Sequence, residues 1–334
     1  MLNPKLKLNP KIFNSDVDEI PIRKGFGQGL LEAGEQDKNV VALCADLTES
    51  TQMNLFAEKF PERFVEIGVA EQNLVTVSSG MSAMGKIPFC SSYAMFSPGR
   101  NWEQIRTTIA YNNRKVVIVG SHAGISVGPD GGTHQALEDI GLMRMLPNMD
   151  VISPCDAIEA RKATLALSKT PKPAYLRLAR EKTPLVTTEE TPYEHGRAQI
   201  YWLPEVGLAQ VGIIATGSLV PQALFAAKEL EAGEESQRIK TKVMNLLTVK
   251  PIDKDAIIAL AKECKKIVTV EEHQVSGGMG SAVAEVLAQN YPVPIEFIGV
   301  QDKFGQSGTP DELLHHYGMD KDAIKEAVKK ILKR

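Results

Sequence analysis

Short apolar runs recur along the chain and alternate with stretches whose apolar residues fall at helical spacing. In the first half the strand-like runs are Val40–Cys44, Phe64–Ile67, Ile87–Cys90, Val116–Val119, Val151–Ser153 and Ala174–Arg177. Helical patterns fit between them at Glu71–Met84, Asn101–Tyr111, Gln135–Met145 and Ala157–Ser168. This alternation predicts an α/β protein with largely parallel sheets. Around Ala179–Pro204 the pattern lapses into charged, Thr- and Pro-containing sequence, which reads as a boundary. A second, smaller α/β unit follows, with strands near Val211–Ala215, Lys242–Met244, Ile267–Val270 and Ile295–Ile298. The expected division is an N-terminal arm over 1–20, a first domain over 21–185, a linker over 186–205 and a second domain over 206–334. The amphipathic, Lys-rich stretch Asp322–Arg334 reads as a solvated helical cap.

Composition narrows the class. The 334 residues are 43% apolar and 24% charged with a formal net charge of −3, so the length suits two or three soluble domains. That balance supplies no electrostatic reason to expect nucleic acid or an anionic membrane surface, although local basic residues could bind small phosphates. Cys44, Cys90, Cys155 and Cys264 are scattered without a CxxC pair, which predicts reduced, buried thiols and a cytoplasmic location. Met1–Ser15 is polar and lysine-bearing, unlike a secretory signal, and no apolar run approaches the length of a membrane span.

Two segments carry candidate chemistry. Arg63–Gly68 alternates as a strand ending in a glycine turn, and Glu71 opens the helix that follows, small and apolar at nearly every position. A carboxylate buried there can act as an acid or hydrogen-bond donor, unless it only complements the helix dipole. The second segment, Gly120–Gln135, follows one strand and precedes a helix, where open α/β sheets bind ligands. Its His122, Asp130 and His134 can present polar groups to a hydroxylated ligand; their spacing matches no helical or knuckle metal pattern. Two glycine clusters remain. Gly25-Phe26-Gly27-Gln28-Gly29 follows no convincing strand, whereas Gly277-Gly278-Met279-Gly280 follows a strand and opens a helix, a geometry that binds anions but also serves close packing.

These residues, with Ala45–Ser50, Gly68–Asn73, Pro88–Tyr93, His122–Gln135 and Val270–Gly280, resemble the C-terminal portion of transketolase over nearly the whole chain. The resemblance implies a pyrimidine-binding thiamine-diphosphate domain followed by a transketolase C-terminal domain. It implies transfer of a two-carbon ketol unit between sugar phosphates, in the pentose phosphate pathway. Glu71 would bond the aminopyrimidine of thiamine diphosphate and so promote deprotonation at the thiazolium carbon. Tyr93 and Phe96 would pack on the pyrimidine; the family often has Phe where Tyr93 stands. Asp46 would lie near the cofactor. His122 and Asp130 would address the reacting end of the donor sugar, while Arg23, Ser50, His134 and Arg180 would hold its phosphate. The family commonly shows an acidic residue at Pro129 and a proline at Gly132, so loop rigidity and substrate preference are open.

Family members hold the diphosphate and its Mg2+ or other divalent cation through a Gly-Asp-Gly motif in an N-terminal domain, and no such segment is present here. The expectation is one subunit of a split transketolase, with no metal ligands in this chain, completed by an N-terminal subunit. Self-association through the pyrimidine-binding domain would give an α2β2 heterotetramer. The β subunit of a 2-oxo acid dehydrogenase is the nearest rival, disfavoured by the His122–His134 loop and Arg180. Deoxyxylulose-phosphate synthase is normally one continuous chain. A non-catalytic regulatory subunit is disfavoured by retention of Glu71, both aromatics and both histidines.

Overall fold

The computed structural model describes residues 1–232 and 238–334. In chain order the strands are Glu19–Pro21 (β1), Val40–Cys44 (β2), Phe64–Glu66 (β3), Ile87–Tyr93 (β4), Val117–Ser121 (β5), Asp150–Ile152 (β6), Ala174–Arg177 (β7), Lys182–Pro184 (β8), Gln199–Trp202 (β9), Val211–Ala215 (β10), Thr241–Asn245 (β11), Thr248–Lys250 (β12), Ile267–Gln274 (β13) and Ile295–Val300 (β14). One sheet runs β12-β6-β7-β5-β4-β2-β3 and is parallel except for β12. A second runs β14-β13-β10-β11-β9 and is parallel except for β9. Strands β2, β5, β7 and β10 are buried at every position, as strands covered by helices on both faces must be.

The expected α/β architecture is therefore observed, with four local differences. Helix Ile22–Gln36, which the sequence pattern does not single out, runs straight through Gly25, Gly27 and Gly29. Those glycines are a contact face: a Cβ at Gly25 would sit 1.8 Å from the Ala157 carbonyl oxygen, and one at Gly29 would sit 2.8 Å from that of Arg161. Close approach to helix Ala157–Leu167 outweighs the low helix propensity of glycine. The segment 186–205 contains β9, which pairs with β11, so it is part of the second sheet as well as a connection. Strand β12, from the later part of the chain, instead completes the edge of the first sheet against β6. Last, the helix expected over Gln135–Met145 is confined to Asp139–Arg144, and the one expected over Asn101–Tyr111 changes from α at Trp102–Gln104 to a π-helix at Ile105–Ala110.

The arm also packs more firmly than its polar sequence implies. Leu8 and Ile12 are buried against Trp202, Leu219 and Val220 of the second unit, and the Asn3 amide donates to Tyr201 O at 2.9 Å. A fully buried polar knot joins the two units as well. Glu159 accepts from Tyr201 Oη at 3.0 Å and Asn245 Nδ2 at 2.7 Å, and burial pushes its carboxyl up to about 7. All four cysteines are free and buried. Among the described residues, no helix is long and apolar enough to cross a membrane.

Candidate active site

The carboxyl ends of β2, β3, β4, β5 and β7 share one edge of the first sheet, and the chain reverses its direction of travel across the sheet between β3 and β4. Such edges bind ligands because successive strand-to-helix loops splay apart there. The residues singled out from sequence fall on or beyond those strand ends, except Arg23, which lies in the first turn of helix Ile22–Gln36.

Glu71 opens helix Glu71–Ala83 and is 4% exposed. The turn before it is braced by Glu66, whose Oε1 accepts from the Asp46 and Gly68 amides at 2.7 and 2.8 Å and whose Oε2 accepts from Thr48 Oγ1 at 3.1 Å. Asn101 Nδ2 donates to the Glu71 carbonyl at 2.7 Å. The carboxylate itself meets Arg100, whose Nη1 lies 3.2 Å from both oxygens. The Arg100 guanidinium also rests 4.4 Å from the centre of the Phe96 ring. Arg100 lies 29 residues from Glu71, so no helical or strand periodicity could have paired them. A cation four residues past Phe96 was the only cue.

From Phe96 an aromatic wall continues inward. Phe96 and Tyr93 stack with ring centres 6.0 Å apart, and Tyr93 and His122 stack at 3.9 Å. His134 stands edge-on to Phe96 at 5.4 Å and to Tyr93 at 6.4 Å. His122 follows β5 directly and is 2% exposed, with its Nδ1 2.9 Å from Ser121 Oγ. Burial pushes its imidazole down to about 3, and the charges of Arg23 and Arg180 and the nearby His134 push the same way. The ring is therefore neutral at ordinary pH and offers one donor and one acceptor.

Two arginines close the far side. Arg23 Nη1 donates to Ser50 O at 2.5 Å and its Nε to Arg180 O at 3.3 Å, while Arg180 Nη1 donates to Val127 O at 2.5 Å. Burial lowers the Arg23 pKa, with Arg180 adding to the shift, but a guanidinium keeps its charge in proteins. Both are half-buried and stitch together the loops that follow β2, β5 and β7. Ser50 contributes its carbonyl to this arrangement. Phe96, Tyr93, His122 and His134 thus form one wall, linked to Glu71 through Arg100, and Arg23, Ser50 and Arg180 form a second group whose two guanidinium charges act on His122. Asp46 and Asp130 stand apart from both, with exposed side chains.

The glycine turn of the second unit is already filled. Glu271 is wholly buried and accepts from the Met279 and Gly280 amides at 2.6 and 2.8 Å, and burial pushes its carboxyl up to about 7. The helix N-terminus binds an anion, as its geometry implies, and the anion is the chain's own carboxylate.

A buried carboxylate beside half-buried aromatic rings suits a planar nitrogen heterocycle, which needs one directed hydrogen bond and a surface to stack on. Flanking guanidiniums suit a phosphate. Among the described residues, no three His, Cys, Asp or Glu side chains are grouped to hold a metal ion. Residues 18–186 match the family profile for the transketolase pyrimidine-binding domain, and residues 202–324 match that for the transketolase C-terminal domain. The fold and these matches define a protein of a thiamine-diphosphate-dependent class.

The chain belongs to the transketolase family. It is 42% identical over 94% of its length to a protein of Methanocaldococcus jannaschii described as a transketolase C-terminal section, of which 96% is covered. It is 38% identical, over 96% of its length and 98% of the relative's, to a 6-deoxy-6-sulfo-D-fructose transketolase subunit of a Clostridium species. A solved split-gene transketolase, titled an inactive β4 tetramer, superimposes with a TM-score of 0.85 at 42% identity, covering 94% of this chain and 99% of that one.

Proposed function

We propose that this chain is the pyrimidine-binding half of a two-chain transketolase that moves a two-carbon ketol unit from a ketose phosphate to an aldose phosphate. The observation that carries the reading is the ring wall of Phe96, Tyr93 and His122 beside Glu71, together with the paired Arg23 and Arg180 whose charges act on His122. A 2-oxo acid needs no paired guanidiniums beside a neutral imidazole; a phosphorylated sugar does.

Bound thiamine diphosphate would supply a nucleophilic carbon that also stores the electron pair. The chain's own residues do the rest. Glu71 would offer its carboxyl to a ring nitrogen of the pyrimidine. Tyr93 and Phe96 would pack on the pyrimidine, and Asp46, exposed in the single chain, would come near the cofactor in the complex. His122, as a neutral ring, exchanges hydrogen bonds with the hydroxyls near the reacting carbon, together with Asp130. Arg23 and Arg180, with Ser50 and His134, hold the phosphate and thereby set the distance to the reacting end. The diphosphate and its divalent cation would be bound mainly by an N-terminal subunit, and the complex would work in the cytoplasmic pentose phosphate pathway.

Assembly follows from the surface beside the site. Val69 is 68% exposed, Val77 39% and Met84 83%, an apolar band along and beside helix Glu71–Ala83. A second copy covering this band, with one N-terminal subunit per copy, gives an α2β2 complex. A solved relative is titled inactive as a tetramer of its own chain, which fits a site completed by another polypeptide.

The test is reconstitution. The purified chain should show no ketol transfer from xylulose 5-phosphate. Adding a chain that carries the Gly-Asp-Gly motif, with cofactor and Mg2+, should restore it and yield a heterotetrameric mass. Turnover by the single chain, or pyruvate decarboxylation in place of ketol transfer, would sink the proposal.

A further inference from the structure

The loop that carries His122, Asp130 and His134 is held to a large extent by the C-terminal domain. Glu272, 2% exposed on β13, accepts from the Ser126 amide at 2.5 Å and from Ser218 Oγ at 2.5 Å. The Gln274 amide donates to Leu137 O at 2.8 Å. Between these anchors lies Gln135, 2% exposed. Its Nε2 reaches three carbonyls: Ile125 and Gln306 at 3.0 Å each, and Gly128 at 3.4 Å. Two of these belong to the loop and the third to the segment after β14. One side-chain amide therefore spans the loop and joins it to the other domain.

The segment after β14 is shaped to admit that amide. A Cβ at Gly305 would sit 1.7 Å from Gln135 Oε1 and 2.9 Å from Ile125 Cδ1. A Cβ at Gly132 would meet the Gly305 carbonyl oxygen at 2.7 Å, and one at Gly131, where φ is +75°, would meet Ser307 Oγ at 2.6 Å. Gly132 is the position where the family commonly has proline. Here the two backbones approach too closely for a ring or any side chain, so the loop's shape is dictated by the domain lying on it.

We propose that Gln135 is a positioning residue through which residues 305–308 of the C-terminal domain set the geometry of the donor-sugar loop, and with it the enzyme's discrimination among donors. The proposal rests on the ketol-transfer reading above and assigns the C-terminal domain a part in it. Gln135 itself is buried behind the wall, and it acts through the backbone that places His122, Asp130 and His134. Its effect must therefore appear as altered selectivity between donors that use the loop fully and donors that do not.

The experiment uses Gln135→Leu, the near-isosteric Gln135→Met and Gly305→Ala, with the Gln135→Leu/Gly305→Ala double variant, after thermal melts confirm folding. Hydrogen exchange of the peptide spanning 125–134 is measured first in the isolated chain, where no activity is needed. Each single variant should speed that exchange about fivefold or more, the factor matching one net hydrogen bond. The double variant should exceed the larger single effect only slightly, because both changes break the same link. In the reconstituted complex the ratio of kcat/KM for xylulose 5-phosphate to that for hydroxypyruvate should fall by a similar factor of about five. Unchanged exchange, additive effects, or equal losses on both donors would each overturn the proposal. A wild-type complex without ketol transfer would instead overturn the functional reading, and the exchange measurement would still decide whether Gln135 holds the loop.

Discussion

Replacing His122 by asparagine tests the electrostatics of the site directly. Asparagine tolerates the left-handed backbone that His122 adopts at φ 55°, and its amide can still reach Ser121 Oγ. In the folded chain the imidazole takes its proton only near pH 3, against 6.5 for an ordinary histidine. Between those values the unfolded chain binds one more proton than the folded chain, so stability rises with pH and is complete above 6.5. Below 6.5 the wild type should lose about 1.4 kcal/mol per pH unit through this ring, or about 2.7 kcal/mol by pH 4.5. Glu159 and Glu271 oppose it. Their folded pKa values are raised from 4.5 to about 7, so the stability they contribute is present below 4.5 and lost as pH rises through 7. The wild-type profile alone therefore mixes the two effects, and the difference between wild type and His122→Asn isolates the histidine. Denaturant melts of both proteins at pH 8 and 4.5, at equal protein concentration, give that difference. It should shrink by about 2.7 kcal/mol at the lower pH, and the His122 ring resonances should show no titration between pH 8 and 5. A flat difference, or a ring titrating near 6.5, would refute a neutral, buried imidazole at this site.

Two further expectations address the wall on either side. Glu71→Gln should leave the fold intact but slow the reconstituted enzyme by about 10²–10⁴-fold, as for other acid–base groups; proton exchange at the cofactor's reactive carbon, followed by NMR in the complex, should slow with it, and an unchanged rate would exclude the assigned role. Arg23→Ala and Arg180→Ala should each cost roughly 1.5–3 kcal/mol in binding phosphorylated donors, or about 10- to 150-fold in KM. The unphosphorylated donor hydroxypyruvate should be little affected, and equal losses on both donors would show that the arginines do not hold phosphate.

Much of the fold was legible in the sequence because its core strands are covered on both faces. Runs such as Val40–Cys44, Val117–Ser121 and Val211–Ala215 must then be apolar or small throughout, a signal contained within a few consecutive residues. The loop 120–135 was legible for a related reason: glycines and titratable groups concentrated after a buried strand mark an edge that meets solvent or ligand. Glu71 was legible as a carboxylate opening an apolar helix. In each case the physical cause lies close along the chain to its effect.

What the tertiary structure alone decided are pairings between distant segments, for which no local pattern exists. Helix Ile22–Gln36 presses against helix Ala157–Leu167 at Gly25 and Gly29, although the same glycines weaken it locally. Strand β12 is only Thr248–Lys250, too short for an alternation to show, and owes its place to β6. Arg100 meets Glu71 from a separate helix-bearing segment, and Glu271 takes the anion site that the glycine turn offers. Asp46 and Asp130 carry the residue types of the site yet face solvent in the single chain. The hold of the C-terminal domain on the donor loop, through Gln135, belongs to this second group: it spans 171 residues of sequence and exists only once the two sheets have packed.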